Sequence, residues 1–257
     1  MGLPVEKDGR LYNVAAAVYR GSILGMIPKK NIPTYAEFYE GRYFTPGEER
    51  IKNLSLGGYE IPFGKNLLFC CEELPELVLG CEICEDFWVP QSPGIAHALA
   101  GATVLVNLSA SNETIGKDAY RELLVKSASA RLIAAYIYCS AGEGESTQDL
   151  VFGGHNLIAE NGVILEQAKR FEPVDVYADI DVHRICHERR RMSTYGAKRP
   201  EDYLVIPVAI ETEKTELCRN FGPQPFVPAD PAEREERCEE ILSIQSYGLK
   251  KRLEHTG

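Results

Sequence analysis

The 257-residue chain lacks any apolar run approaching the roughly 20 residues that a membrane-spanning helix needs. It also lacks a basic surplus. Against 38 Asp and Glu stand 28 Lys and Arg, and the formal net charge of −10 argues against a general nucleic-acid or anionic-membrane surface. The opening Met-Gly-Leu-Pro-Val-Glu-Lys-Asp-Gly is neither a signal peptide nor a transit peptide, and no Ser or Thr follows Gly2 in the way that favours myristoylation. No internal repeat or low-complexity block occurs. The eight cysteines show no regular disulfide spacing, so reduced thiols and a cytoplasmic location are expected. What remains is ordinary soluble composition, 44% hydrophobic and 26% charged, in a length that allows about one to two domains.

The most informative stretch runs from Leu77 to Pro90, Leu-Val-Leu-Gly-Cys-Glu-Ile-Cys-Glu-Asp-Phe-Trp-Val-Pro. An apolar run ends at Cys84 and gives way at once to two acids, an aromatic pair and a proline. A strand that ends in a small nucleophile before a sharp turn presents that side chain to a cleft, with the next backbone N–H (here Glu85) placed to meet an oxyanion. A buried structural cysteine is the alternative reading.

Around this stretch the pattern predicts alternating elements. Two β-rich runs over residues 11–28 flank Arg20-Gly21, a hairpin signal. The second delivers Lys29-Lys30 into a long aromatic loop carrying Tyr35, Phe38, Tyr39, Tyr43 and Phe44, whose prolines and glycines argue against a long helix. Short strands are expected at Tyr59–Phe63 and Leu67–Cys71, then a helix from Ser92 to Gly101. Ala102–Leu108 reads as a strand covered on both faces, and the stretch from Asp118 to about Tyr136 as a helix. A strand over Tyr136–Ser140, a hairpin at Asn161-Gly162, a strand over Tyr177–Asp181 and a basic helix over His183–Arg191 complete the series. After Ala197 the prolines at 200, 207, 223, 225, 228 and 231 punctuate an irregular stretch that leads to a charged helix over Asp230–Glu254. The fold class is layered α/β, with one sheet or a pair of sheets between helices.

A cysteine acting on an amide needs a base, an oxyanion holder and a substrate anchor. His97 lies on an apolar helix face, and His155, in a Gly-Gly-His loop, is the imidazole left as a partner. Lys29, at a strand end ahead of the aromatic loop, can stabilise an oxyanion or pass a proton if it is desolvated; an exposed lysine is the plain alternative. Cys81-x-x-Cys84 spans opposite faces of a strand, unlike a redox pair at a helix N-terminus. The His183-Ile185-Cys186-His187 cluster sits among arginines that disfavour a cation, so no metal is expected.

Taken together, Ile-Pro-Lys-Lys-Asn-Ile-Pro-Thr-Tyr-Ala-Glu-Phe-Tyr-Glu-Gly-Arg-Tyr-Phe (27–44), Gly-Cys-Glu-Ile-Cys-Glu-Asp-Phe-Trp-Val-Pro (80–90) and Asn-Leu-Ser-Ala-Ser-Asn-Glu-Thr (107–114) resemble the nitrilase superfamily of carbon–nitrogen hydrolases. Within it they resemble the glutaminase domains of glutamine-dependent NAD⁺ synthetases. The resemblance implies an αββα sandwich and a catalytic Glu, Lys and Cys in that chain order. It assigns Cys84 as nucleophile, Lys29 as catalytic lysine and Glu40 as auxiliary glutamate, with Glu37 close enough to dispute the last. It also puts Glu85, Ser111 and Lys117 around the substrate, with Tyr35 and Phe38 as an aromatic wall. Cys84 would attack the glutamine side-chain amide and release ammonia through a thioester, for a synthetase domain or chain that amidates nicotinic acid adenine dinucleotide.

The family's catalytic Glu lies several dozen residues upstream of Lys29. The resemblance therefore implies a chain without the first strands of the sandwich and without that base, with impaired activity; Glu6, in a turn-like context, is a poor substitute. It further implies a hydrolase domain over 1–199, then a Pro-rich connection and helix over 200–257 leading towards a synthetase domain that would hold ATP and Mg²⁺. No cofactor is expected in this chain, and a homo-oligomer is. The alternatives are a non-catalytic oligomerisation remnant and a nitrilase-like amidase of another carbon–nitrogen substrate.

Overall fold

A computed structural model describes every residue except 49, 146–148, 197–200, 214, 215, 217, 218, 220–223, 225 and 257. The expected boundary at 199/200, the prolines at 200, 223 and 225, and Cys218 lie outside the described residues. Two compact units emerge, Met1–Glu216 and Leu217–Gly257.

The first unit contains two sheets. Strands β1 (Gly2–Lys7), β2 (Arg10–Tyr19), β3 (Ser22–Pro28), β4 (Lys52–Leu56) and β5 (Tyr59–Phe63) form one of them, in the order β1-β2-β3-β5-β4. The β2–β3 hairpin turns at Arg20 and Gly21, whose φ values of 47° and 81° are both positive, as a two-residue hairpin turn requires. Strand β1 departs from the sequence expectation, and it carries Glu6 on a strand instead of in a turn. Pro4 masks it in the sequence, yet is tolerated because β1 is an edge strand.

The second sheet contains β6 (Leu67–Cys71), β7 (Val78–Ile83), β8 (Val104–Ser109), β9 (Ala135–Ser140), β10 (Leu157–Glu160), β11 (Val163–Gln167) and β12 (Leu204–Val208). Its order is β11-β10-β9-β8-β7-β6-β12, with β7, β8 and β9 mutually parallel. Parallel neighbours need crossovers, and α1 (Pro93–Leu99) and α2 (Lys117–Leu132) supply them. The carboxyl ends of β7 and β8 therefore open side by side, where α/β sheets bind ligands.

One core packs α1 and α2 on this sheet through Ala98, Val125, Leu132, Leu105, Tyr136 and Leu157. A second joins the two sheets through Ala15, Ile27, Leu67, Phe69 and Ile83. Leu105 and Val104 belong to different clusters, so β8 is covered on both faces, which its unbroken apolar run anticipates.

Helix α2 stops short of Tyr136. Ile133 adopts a left-handed φ of 44°, and β9 begins at Ala135. Residues 177–181 form no strand, because they pair with none among the described residues. The basic helix is α3 (Val182–Arg191), N-capped by the Asp181 carboxylate. The Pro-punctuated stretch hides β12, which pairs in parallel with β6 across the register Leu204↔Leu67.

In the second unit α4 (Pro231–Thr256) is capped by Asp230, which accepts hydrogen bonds from the N–H groups of Ala232 and Glu233 at 2.7 and 3.1 Å. Among the described residues no helix is long and apolar enough to cross a membrane.

Candidate active site

Cys84 begins a single-turn 3-10 helix (Cys84–Phe87) directly after β7, at φ 47°. A left-handed backbone at a residue with a Cβ costs about 1–3 kcal/mol and persists only where the surroundings fix it. Here they do. Asp86, 2% exposed, accepts four hydrogen bonds: from Ile83 N at 3.1 Å, Lys30 N at 3.3 Å, and Asn31 N and Nδ2 both at 2.8 Å. One carboxylate thus ties the turn that carries Cys84 to the loop that follows Lys29. Burial pushes the Asp86 carboxyl up, and the four donors oppose that shift.

Beneath the turn, Glu82 accepts from Gly94 N at 2.7 Å and from the Tyr136 hydroxyl. Burial pushes its carboxyl up to about 7, against the pull of these two bonds. A Cβ at Gly94 would meet Glu82 Oε1 at 3.0 Å, so glycine lets the helix start approach the carboxylate.

Lys29 follows β3 and is 1% exposed. Its Nζ donates to both oxygens of Glu40, at 2.7 and 2.8 Å. Glu40 opens a 3-10 turn (Glu40–Arg42), and Glu37 instead accepts from Asn112, so the lysine's partner is Glu40. The loop is anchored again where Gly47 N donates to Lys29 O at 2.8 Å.

Cys84 lines a cavity of about 480 Å³ together with Tyr35, Glu37, Phe38, Glu85, Trp88, Ser111, Asn112, Lys117 and Tyr120. The Tyr35 hydroxyl donates to Glu85 Oε1 at 2.8 Å, and its ring meets Phe38 edge-on at 6.1 Å. Burial and the Glu85 carboxylate raise the Tyr35 hydroxyl to about 12, so it stays a donor. Lys117 Nζ lies 5.2 Å over the Trp88 ring, and Trp88 packs on Tyr120 at 5.7 Å. Burial, then the Arg121 cation, pulls the Lys117 ammonium down. Cys84 also borders a second cavity of about 340 Å³, lined by Asn13, Glu40, Ser109, Cys139 and Glu145 among others.

The structure thus brings Cys84, Glu85, Tyr35, Phe38, Ser111 and Lys117 to one cavity, and Glu40, with Lys29 on it, to the other. His155 is not part of either. Its Nδ1 meets Arg121 Nη1 at 3.0 Å, where burial and that guanidinium lower its pKa. His97 bridges the Tyr203 hydroxyl and Cys81 O at 2.8 and 3.1 Å, and burial pushes it down to about 4. Burial pushes the Cys81 thiol up to about 12, the reverse of an activated redox cysteine.

The sequence reading passes over Asp86, Trp88, Asn112, Tyr120 and the part played by Glu37. Asp86 has a local signal, an acid in the first turn after the strand, and Asn112 sits in a polar strand-end loop. Trp88 and Tyr120 have none that separates them from core aromatics.

Residues 1–189 match the family described as carbon-nitrogen hydrolase. The glutamine-dependent NAD(+) synthetase of Mycobacterium tuberculosis is 44% identical over 264 residues, covering 98% of this chain and 39% of that protein. The enzyme of the same description from Thermotoga maritima is 31% identical over 197 residues, covering 76% of this chain and 30% of its own length. Among solved structures, a glutamine-dependent NAD(+) synthetase from Cytophaga hutchinsonii superposes with a TM-score of 0.58 at 29% identity, over 66% of this chain and 27% of that one. A carbon-nitrogen hydrolase from Helicobacter pylori shares the fold, with a TM-score of 0.57 at 22% identity over 77% of this chain and 67% of its own. The chain therefore spans well under half the length of these synthetases.

Proposed function

Because this chain belongs to the carbon–nitrogen hydrolase family, we propose that it is the glutamine-hydrolysing portion of a glutamine-dependent NAD⁺ synthetase. On this reading the Cys84 sulfur attacks the side-chain amide carbon of glutamine, and its proton passes to the family's catalytic glutamate, a role that the resemblance gives to no residue of this sequence, so weak turnover is expected of this chain by itself. The Lys29 ammonium, held by the auxiliary Glu40, and the Glu85 N–H steady the tetrahedral oxyanion. The amide nitrogen takes up the proton and leaves as ammonia, and water then hydrolyses the thioester to glutamate. Glu85 with Tyr35 meets the substrate's amino group, Lys117 its carboxylate, Ser111 steadies that end, and Phe38 lines the aliphatic chain.

The observation that carries this reading is the cavity itself. A cysteine held at positive φ on a strand end shares it with one cation, Lys117, and two carboxylates, Glu37, which accepts from Asn112, and Glu85, so that a cation and an anion are both at hand for a zwitterionic amino-acid amide. The ammonia goes to a synthetase domain or chain, and ATP and Mg²⁺ belong to that step, with none held by this chain. A cytoplasmic homo-oligomer is the form in which it acts.

The test is glutamine-dependent release of glutamate and labelling by a glutamine-directed electrophile. Label is expected on Cys84, in preference to the other seven thiols, and is lost in Cys84→Ala. Turnover of simple aliphatic amides in preference to glutamine would move the substrate elsewhere in the family. Defined oligomers that never label at Cys84 would replace the catalytic reading with an interaction one.

A further inference from the structure

Lys117 occupies a place that stability alone does not favour. It is the first residue of α2, where the helix dipole repels a cation, and both burial and the Arg121 guanidinium disfavour its charge. Among the described residues it forms no ion pair with a carboxylate; its Nζ donates to Asn112 Oδ1 and lies over Trp88. Yet Glu37, on the aromatic loop, lines the same cavity wall. Between the two stands Asn112, 7% exposed, which accepts from Lys117 through Oδ1 and donates to Glu37 through Nδ2.

A primary amide is the neutral side chain that can satisfy an ammonium at one end and a carboxylate at the other. Take it away and opposite charges in a partly desolvated wall draw together, which spends the ammonium on an internal pair. Leave it in place and Lys117 keeps its charge, with two N–H donors beyond the one that Asn112 uses.

We infer that Asn112 is a positioning residue that sets this site's selectivity for carboxylate-bearing amides, by holding Glu37 off Lys117 and aiming the ammonium into the cavity. The inference rests on the proposed glutamine reading and deepens it. Lys117 touches the substrate; Asn112 and Glu37 act through it.

The experiment measures how well small amides protect Cys84 of the full chain from alkylation by iodoacetamide, with the labelled site identified by peptide mapping. The probes are glutamine, 4-carbamoylbutanoate (glutamine without its amino group) and 4-aminobutanamide (glutamine without its carboxylate). In Asn112→Asp, which sets a like charge beside the seat, the half-protecting concentrations of glutamine and 4-carbamoylbutanoate are expected to rise by about tenfold or more, and that of 4-aminobutanamide to stay within about twofold. Glu37→Gln removes the competing anion and is expected to tighten the two carboxylate-bearing probes by about two- to fivefold, again sparing 4-aminobutanamide. It decides the matter should Asn112→Asp fail to fold. Equal weakening of all three probes, or of none, overturns the inference and leaves the glutamine reading standing. An unaltered chain in which glutamine gives Cys84 no protection overturns the glutamine reading, and the inference with it.

Discussion

The floor and the wall of the larger cavity are built on different principles. The floor, from Glu82 to Asp86 at the end of β7, is held by buried carboxylates that accept backbone N–H groups, and a strained Cys84 sits between them. The wall, from Tyr35 to Glu40, keeps its own backbone turn but is tied to the other elements of the site by side-chain links: Tyr35 to Glu85, Glu37 to Asn112, and Glu40, which faces the smaller cavity, to Lys29. Backbone donors cannot move without unfolding something, whereas side-chain links can be exchanged one at a time. The floor therefore governs whether the site exists, and the wall governs what it accepts.

The sharpest way to break this contrast is Asp86→Ala. It strands four donors that the carboxylate now satisfies, and a destabilisation of about 4 kcal/mol is expected in chemical unfolding, with loss of Cys84 labelling. A variant that unfolds like the unaltered chain would put the floor's rigidity elsewhere.

Glu82 offers the next largest effect, and it is pH-dependent. Its folded pKa of about 7 lies above the unfolded value near 4.5, so the folded chain holds this proton more tightly. Its contribution is greatest below pH 4.5 and is lost as pH rises towards 7, a change of about 3 kcal/mol. Glu82→Gln has no such proton, so the stability difference between the two chains is expected to shift by that amount between pH 4.5 and 7. Parallel stability profiles would show that Glu82 is not the buried titrating group.

In the wall, Glu40→Gln leaves the Lys29 ammonium buried against a neutral amide. A loss of about 2 kcal/mol is expected in unfolding, together with slower labelling of Cys84. Tyr35→Phe is the smallest perturbation. It removes one bond to a carboxylate at a half-exposed ring, so glutamine protection of Cys84 should weaken less than about fivefold, with no measurable change in stability. A larger loss of stability from Tyr35 than from Asp86 would invert the comparison.

The two regions also differ in how far they can be read in advance. Cys84 is legible because an apolar run, a nucleophile and a polar turn stand in register within a few residues, and the aromatic loop because prolines and glycines deny it a helix. Asp86 reaches Lys30 and Asn31, more than fifty residues back in the chain, and no local pattern encodes that partner. Asn112 and Glu37 are likewise brought together only by the fold. The strand missed at β1 is disguised by Pro4, and the one missed at β12 by the prolines around it. The strand expected at 177–181 has the right side-chain alternation and lacks an edge to pair with, which alternation does not report.

Strand β12 sets a clock on biosynthesis. Leu67 leaves the ribosome long before Leu204, its partner in the register, and at about 5–20 residues per second the outer edge of β6 waits roughly 7–27 s for its neighbour. Through that interval Leu67-Leu68-Phe69-Cys70-Cys71, an apolar edge of the sort that recruits foreign strands, is open to whatever nascent chain passes by. The yield of soluble protein should therefore depend on chaperone capacity during translation, and on how quickly a ribosome travels from codon 67 to codon 208.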